Sequence, residues 1–467
     1  MKLSQLLSAA GLECTQEREI TGLTCDSRQV EEGMLFAALE GAGADGRDFI
    51  PQAVAKGAAA VLCRGERTAG VPIIAVPEPR AVLAQMSAEF YGRPADRLTL
   101  IGVTGTKGKT TTTHMLRDIL TAAGYKPGLI GTLGAFVGRE KLAATANTTP
   151  EPIELHRILR QMAEAGCTHA VMEVSSQAMK QHRLAGIAVD VGVFLNLSPD
   201  HIGPGEHESF EEYRSCKGEL FRQCRRGVGN GGDPAWDFMA ECLPPEAEKV
   251  TFGGELCRSG PGLITVLEVP GRAPYRISMP GVFNGQNAMA ALTAASLLGV
   301  GEDAIRRGLA HTGVPGRFEV YPAVAPFDVV IDYAHNGAGF RAIFSALREG
   351  CSGRILAVFG AGGDRPPMRR WELARAAAEG ADFAVLTEDN PRSESAEEIC
   401  ARISAAMPDL PHVIIPDRRA AIRHALAMAK AGDVVALLGK GHEEYIETNG
   451  VRRRFSEREV LEEYFGQ

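Results

Sequence analysis

The chain has 467 residues, enough for about three domains with ample core. Its 45% hydrophobic and 23% charged residues are the composition of an ordinary globular protein, and no run approaches the roughly 18 apolar residues a membrane helix needs. A net charge of −8 without a long basic stripe argues against a nucleic-acid partner. The first residues also lack the sustained apolar segment of a secretory signal. Ten cysteines stand singly with no C-x-x-C pair, the usage expected of reduced thiols in a cytoplasmic enzyme.

Residues 1–95 read as a small α/β unit: a leading helix, strands over 20–26 and 35–39, a helix over 49–56 and a strand over 59–62. Tyr91-Gly92-Arg93-Pro94 ends that pattern. A second unit, 96–314, opens on Leu98 to Thr104, a strand that empties into Gly105-Thr106-Lys107-Gly108-Lys109-Thr110-Thr111. Glycines there let the backbone approach a triphosphate, and an amphipathic helix over 112–123 would turn its N-terminus toward the anion. Lys109 would neutralise phosphate charge and the Thr110 hydroxyl would ligate Mg²⁺. The spacing is a variant, because the standard loop has glycine where this chain has Val103.

Further strands are expected over 170–174 and 191–195. Glu173 ends the first, either as a Mg²⁺ ligand beside the phosphate loop or as a solvated strand end. Asn196 to His201 leaves the second, and His201 is either a metal ligand or an ordinary hydrogen-bonded histidine. Lys217 by itself reads as a helix-surface lysine.

Val314-Pro315-Gly316-Arg317 marks the next break, and 315–467 carries four apolar strands, over 329–331, 355–359, 383–386 and 434–438. Helical patterns separate them, which predicts a doubly wound parallel sheet. Asp332-Tyr333-Ala334-His335, Gly362-Gly363-Asp364-Arg365, Asp389-Asn390-Pro391-Arg392 and Gly439-Lys440-Gly441-His442-Glu443 each begin where one of these strands ends. Parallel strands share one carboxyl edge, so four polar loops distant in sequence are expected to converge on one binding crevice.

These motifs, with Asp26-Ser27-Arg28, Asn147-Thr148-Thr149-Pro150 and Glu173-Val174-Ser175-Ser176, resemble the Mur ligases in the same order along essentially the whole chain. The resemblance is greatest to members that add the third residue to UDP-N-acetylmuramoyl-L-alanyl-D-glutamate. It implies three domains: an N-terminal α/β domain binding UDP (1–95), a central P-loop ATPase-like domain (96–314) and a C-terminal Rossmann-like domain binding the incoming amino acid (315–467). It also implies a cytoplasmic, monomeric, ATP- and Mg²⁺-dependent enzyme that makes an amide through an acyl phosphate. Thr110 and Glu173 would hold one ion, and His201 with a carbamylated Lys217 the other. Asn287, Arg317 and Asp332 would join residues 105–111 at the nucleotide. Cys25 and Ser27 would meet the UDP portion, and Asn147, Thr148, Thr149, Ser175, Gln181 and Arg183 the muramoyl dipeptide.

Arg365, Asp389, Asn390, Pro391, Arg392, Gly439 and Glu443 match positions that contact meso-2,6-diaminopimelate. Two arginines for carboxylates and a glutamate for an ammonium complement that double zwitterion. L-Lysine, another carboxylated acceptor, or a nucleotide-binding protein without catalysis are the alternatives. The chain departs from the family text at residues 42–44, 202–207 and Asn336-Gly337.

Overall fold

The strand Thr99–Thr104 is buried from Leu100 onward and lies inside an eight-stranded sheet. The computed structural model describes every residue except 14–16, 42, 204, 261–262, 323–324 and 467. Ala42 and Pro204, within two of the departures from the family text, therefore lie outside the described residues. Six strands of that sheet run parallel in the order Glu248–Phe252, Cys224–Asn230, Val189–Phe194, Thr99–Thr104, His169–Glu173 and Pro127–Gly131. Antiparallel Gly134–Val137 and Glu140–Ala143 finish one edge. Register pairs Val103 with Glu173 and Thr104 with Phe194, so three loops leave the same end of the sheet side by side. One face carries Leu100, Met172 and Phe194 against Leu155, Ile158, Leu220 and Trp236.

The phosphate-loop helix differs from its expected form. It spans Lys109–Ala122, three residues earlier than the sequence pattern suggests, and Thr110 to Leu120 are all buried. Several of its polar residues bond within the protein instead of facing water. The Thr113 hydroxyl donates to the Thr110 carbonyl (2.9 Å), and Arg117 pairs with Asp118 (2.8 Å), which also meets Arg139. Apolar periodicity marked one packed stripe and gave no sign that the polar stripe is covered too.

Residues near the N-terminus form a four-stranded parallel sheet of Leu23–Thr24, Leu35–Ala38, Ala60–Cys63 and Ile73–Ala75, with helices Leu3–Ala9, Ile50–Ala55 and Pro79–Phe90. The chain divides into two compact units, Met1–Gly254 with Ala290–Ile305, and Glu255–Met289 with Arg306–Gln467.

The second unit holds a six-stranded sheet ordered Glu319–Tyr321, Asp328–Asp332, Val434–Leu438, Ile355–Phe359, Phe383–Leu386 and His412–Ile414. Its last five strands are parallel, and the first pairs antiparallel with its neighbour. Strand residues alternate between two cores. Val330, Ala357, Phe359, Ala436 and Leu438 meet Phe340, Leu373 and Ile403, whereas Ile331, Leu356, Val358 and Leu437 meet Ile422, Leu426 and Leu461. Helices thus cover both faces of a parallel sheet, the doubly wound arrangement. An antiparallel sheet of Leu256–Gly260, Ile264–Glu268 and Tyr275–Ile277 also belongs to this unit. Among the described residues, no helix is long and apolar enough to cross a membrane.

Candidate active site

The phosphate loop is braced from behind. Gly105 and Gly108 have φ of +155° and +88°, and a Cβ on Gly105 would stand 2.9 Å from the Leu195 Cβ. Thr106 N donates to the Asn196 carbonyl (3.0 Å), Lys107 N to Asn196 Oδ1 (2.9 Å), and Asn196 Nδ2 returns a bond to the Lys107 carbonyl (3.1 Å). The Thr106 hydroxyl shares a bond with Tyr213 Oη (3.0 Å) and accepts from Ser198 N (3.0 Å). Lys109 Nζ folds back onto the Gly105 carbonyl (2.8 Å), and Lys107 pairs with Asp200 (3.3 Å). Asn196 and Tyr213 are thus loop-shaping residues to which the sequence reading gave no role. Asn196 was visible at a strand end, whereas nothing local marked Tyr213.

Register brings Glu173 to the loop. The carboxylate is 1% exposed and is held by neutral donors: Thr110 Oγ1 (3.0 Å) and Thr132 Oγ1 (3.1 Å) on Oε2, and Thr132 N (2.9 Å) on Oε1. A Cβ on Gly131 would lie 2.2 Å from Oε1, so glycine there makes room for the carboxylate. Thr132 also bonds the Thr148 hydroxyl (3.0 Å). A buried carboxylate among hydroxyls is a hard-oxygen donor set that suits Mg²⁺. The reading of Glu173 as a solvated strand end is overturned by its burial.

Lys217 is likewise no surface lysine. It is 2% exposed in the helix Phe210–Phe221, donates to the Gly105 carbonyl (3.1 Å), and lies 4.6 Å from the centre of the Tyr213 ring one turn earlier. Burial, aided by the nearby Lys109 charge, pushes its pKa well below the ordinary lysine value. His201 is exposed, takes a left-handed φ of +55°, and shares its Nδ1 with Glu206 (3.0 Å). Its ring centre is 6.3 Å from that of Tyr213, which therefore adjoins both candidates for the second ion. In the departing stretch, His207 is buried and bonds Ser176 (2.9 Å).

The residues matched to the acceptor mostly serve one another. Thr149 Oγ1 donates to the Glu173 carbonyl (2.9 Å), accepts from Ser175 N (3.1 Å) and lies 3.3 Å from Ser175 Oγ. Ser175 caps the helix Ser176–Lys180. Arg183 is buried, bonds the Thr149 carbonyl (2.5 Å) and Gln181 (2.6 Å), and pairs with Glu151 (2.7 Å). Arg80, missed by the sequence reading, also reaches Glu151 (3.5 Å) and adds a second cation there. Asn147 and Cys25 are exposed, while the Ser27 hydroxyl turns inward to Gln52 (3.0 Å).

In the second unit the four expected loops do leave one sheet edge. A cavity of about 110 Å³ there is bordered by Arg365, Asp389, Asn390, Arg392, Gly439 and Glu443. Pro391 does not border it, and its carbonyl packs against Gly363, where a Cβ would sit 1.8 Å away. Lys440, also without an assigned role, is fully buried behind these residues. It donates to Glu443 Oε2 (2.7 Å) and Asn390 Oδ1 (3.0 Å), and Asn390 Nδ2 reaches the same Glu443 oxygen (2.9 Å). Burial works to raise the Glu443 pKa, and the Lys440 ammonium together with the Asn390 amide and His442 outweighs it, holding the carboxyl below its usual range.

Arg392 takes a left-handed φ of +52°, and its guanidinium bonds the Gly363 carbonyl (2.6 Å). Backbone held in a sparsely populated region marks a position the surroundings over-determine. Asp332 accepts from Phe318 N and Ala334 N (2.6 Å each), and burial raises its pKa against the pull of Arg317. Asn287 donates to Asn284 (3.3 Å). At the departure Asn336-Gly337, Asn336 caps the helix Gly337–Gly350 through Gly339 N (2.8 Å), so local helix-start chemistry accounts for that change.

Comparison with known proteins adds names to this geometry. Profiles described as Mur ligase family catalytic domain, Mur ligase middle domain, and Mur ligase glutamate ligase domain match residues 19–91, 103–295 and 316–441. A protein of Caldanaerobacter subterraneus subsp. tengcongensis named UDP-N-acetylmuramoyl-L-alanyl-D-glutamate–2,6-diaminopimelate ligase is 38% identical over 460 residues, 95% of this chain and 94% of that protein. One of the same name from Chlorobaculum tepidum is 40% identical over 474 residues, 96% of this chain and 93% of its own. A solved structure of a ligase so named superposes with a TM-score of 0.72 at 29% identity, covering 100% of this chain and 99% of the other. The chain belongs to the Mur ligase family.

Proposed function

We infer that the chain is an ATP-dependent ligase of the MurE type, joining meso-2,6-diaminopimelate to the D-glutamate γ-carboxylate of UDP-N-acetylmuramoyl-L-Ala-D-Glu. One observation carries the amino-acid assignment. Arg365, Asn390, Arg392 and Glu443 come from three separate loops and border a single cavity, in a chain whose relatives bear that enzyme's name. Arg365 and Arg392 supply cations for two carboxylates, and Glu443 an anion for an ammonium. A carboxylate left without such a partner in a closed site would be costly, which is the basis for rejecting the wrong amino acid.

In this reading residues 105–111 cradle the triphosphate, and Lys109 moves from the loop carbonyls to phosphate oxygens. Asn287, Arg317 and Asp332 serve the nucleotide as well. Thr110 and Glu173 hold Mg²⁺, which supplies charge neutralisation as phosphate charge shifts. His201 and a carbamylated Lys217 serve a second ion. The lowered Lys217 pKa supports carbamylation, because a neutral amine is the form that adds CO₂. The γ-carboxylate takes the terminal phosphoryl group of ATP, and the incoming amine displaces phosphate from the acyl phosphate. Positioning and charge neutralisation dominate such a transfer. Asn147, Thr148, Thr149, Ser175, Gln181 and Arg183, with Cys25 and Ser27, serve the acceptor. We assign the three functions to 1–95, 96–314 and 315–467 of a cytoplasmic monomer.

The test is ATP-dependent phosphate release with the UDP-linked dipeptide, offering meso-diaminopimelate and L-lysine separately and weighing the product by mass spectrometry. Turnover with diaminopimelate alone is expected. Preference for lysine would overturn the cavity argument, and no release with either would overturn the reaction.

A further inference from the structure

Two groups of candidate residues in the second unit meet on one side chain that neither assignment uses. Tyr333 directly follows the strand Asp328–Asp332 and borders the amino-acid cavity. The Arg317 guanidinium carbon lies 4.7 Å from the centre of its ring, within cation–π range. At the other end of the ring, Oη donates to Glu443 Oε1 (3.3 Å). Glu443 Oε2 is already held by Lys440 and Asn390, so Tyr333 addresses the opposite oxygen. Burial pushes the phenol pKa up to about 12, which keeps the hydroxyl a donor at neutral pH.

The backbone joins the same parts. Tyr333 N donates to the Gly316 carbonyl (2.9 Å). Gly316 has φ +64°, and a Cβ there would fall 2.2 Å from His442 N. Gly441 has φ +54°, and its Cβ would stand 2.7 Å from the Tyr333 Cβ and 2.8 Å from the Gly316 carbonyl oxygen. The turn carrying Arg317 and the turn carrying Glu443 therefore touch through two positions with no room for a side chain, and the Tyr333 ring spans what remains. Neither turn can shift without displacing the other.

We propose that Tyr333 is a positioning residue: its ring face holds the Arg317 guanidinium for the nucleotide, and its hydroxyl holds the Glu443 carboxylate toward the amine of the incoming amino acid. The inference rests on the reading of Arg317 as a nucleotide contact and Glu443 as an amino-acid contact. It separates two functions within one side chain: the hydroxyl serves the amino acid, and the ring face serves the nucleotide.

The experiment uses the full chain with ATP, the UDP-linked dipeptide and meso-diaminopimelate, comparing Tyr333→Phe with Tyr333→Leu. Phenylalanine keeps the ring face and removes the hydrogen bond. It should raise KM for diaminopimelate about tenfold, the worth of a bond to a charged group, and leave KM for ATP within about twofold. Leucine removes both and should raise both KM values. Urea midpoints accompany the kinetics, because a merely structural role would lower stability and kcat while leaving the KM values together.

An unchanged diaminopimelate KM in Tyr333→Phe, or an unchanged ATP KM in Tyr333→Leu, would overturn the proposal. So would a uniform fall in kcat with neither KM moved. Absence of turnover in the wild-type chain would overturn the reaction beneath it, whereas wild-type turnover with unshifted variants would overturn Tyr333 alone.

Discussion

Each compact unit buries a lysine near a glutamate, and the two pairs are arranged in opposite ways. In the first, Glu173 is held by the hydroxyls of Thr110 and Thr132, and Lys217 rests on a carbonyl and an aromatic ring. Among the described residues Lys217 makes no ion pair. In the second, Lys440 binds Glu443 directly and Asn390 locks both. Charges kept apart await a charged ligand, and charges joined form a scaffold. Burying either ion alone costs several kcal/mol, so the separated pair is the arrangement that folding by itself would not favour. The proposed roles, catalysis at Glu173 and Lys217 and recognition at Glu443, fit that difference.

The largest expected effect lies on the separated pair. Glu173→Gln keeps the shape and removes the charge, and should lower the rate of phosphate release by about a thousandfold, as loss of a metal ligand and its charge would. A titration with Mg²⁺ checks it. An unchanged Mg²⁺ concentration for half-maximal rate would deny Glu173 a metal-binding role.

On the recognition side, Arg392→Ala should cut kcat/KM for diaminopimelate by about a hundredfold, the cost of an unpaired carboxylate, with KM for ATP within about twofold. Equal losses for both substrates would make Arg392 part of the general fold.

The two lysines should respond to methionine with opposite signs. Lys440→Met strands Glu443 without its ammonium and should cost about 3 kcal/mol. Lys217→Met removes a charge that burial disfavours and should stabilise the fold by about 1–2 kcal/mol at pH 7, while abolishing turnover. The folded pKa of Lys217 lies below its unfolded value of about 10.5, so across that window the unfolded chain holds the extra proton. Wild-type stability should therefore rise with pH toward 10.5 and fall again as pH drops through the folded pKa. Lys217→Met should flatten that rise. Urea midpoints in bicarbonate-free buffer at pH 7 and 9.5 check both signs, and destabilisation by both variants would erase the contrast.

How much of this was legible in the sequence follows the range of the interactions. The parallel strands of the second unit, written as apolar runs followed by polar clusters, pointed to their own sheet edge, and six of the seven residues matched to diaminopimelate border one cavity. The helix after the phosphate loop was located from its apolar stripe, but the cover over its polar stripe comes from distant elements. Lys217 looked like a surface residue because its burial depends on Gly105 and Tyr213, the first of them 112 residues away. Lys440 stood in plain view within a polar cluster. Its role depends on Asn390, 50 residues earlier, and no local pattern encodes that contact. Arg80 meets Glu151 across a similar gap. Periodicity reports which face an element hides, and pairing across loops is set only when the sheet closes.

The smallest effect separates metal orientation from acceptor contact. Thr132 offers its N–H to Glu173 Oε1, and its hydroxyl lies between Glu173 Oε2 and Thr148 Oγ1. Thr132→Val keeps the backbone bond and the side-chain volume and removes only the hydroxyl. If that hydroxyl aims Glu173, the Mg²⁺ concentration for half-maximal rate should rise by up to about tenfold, the worth of one hydrogen bond to a charged group. KM for the UDP-linked dipeptide should then stay within about twofold. If the hydroxyl instead aims Thr148, the dipeptide KM should rise and the Mg²⁺ dependence stay fixed. The first outcome would add the turn after the strand Pro127–Gly131 to the separated-charge arrangement. The second would move Thr132 to the acceptor, leaving Thr110 and Glu173 to meet the metal by themselves.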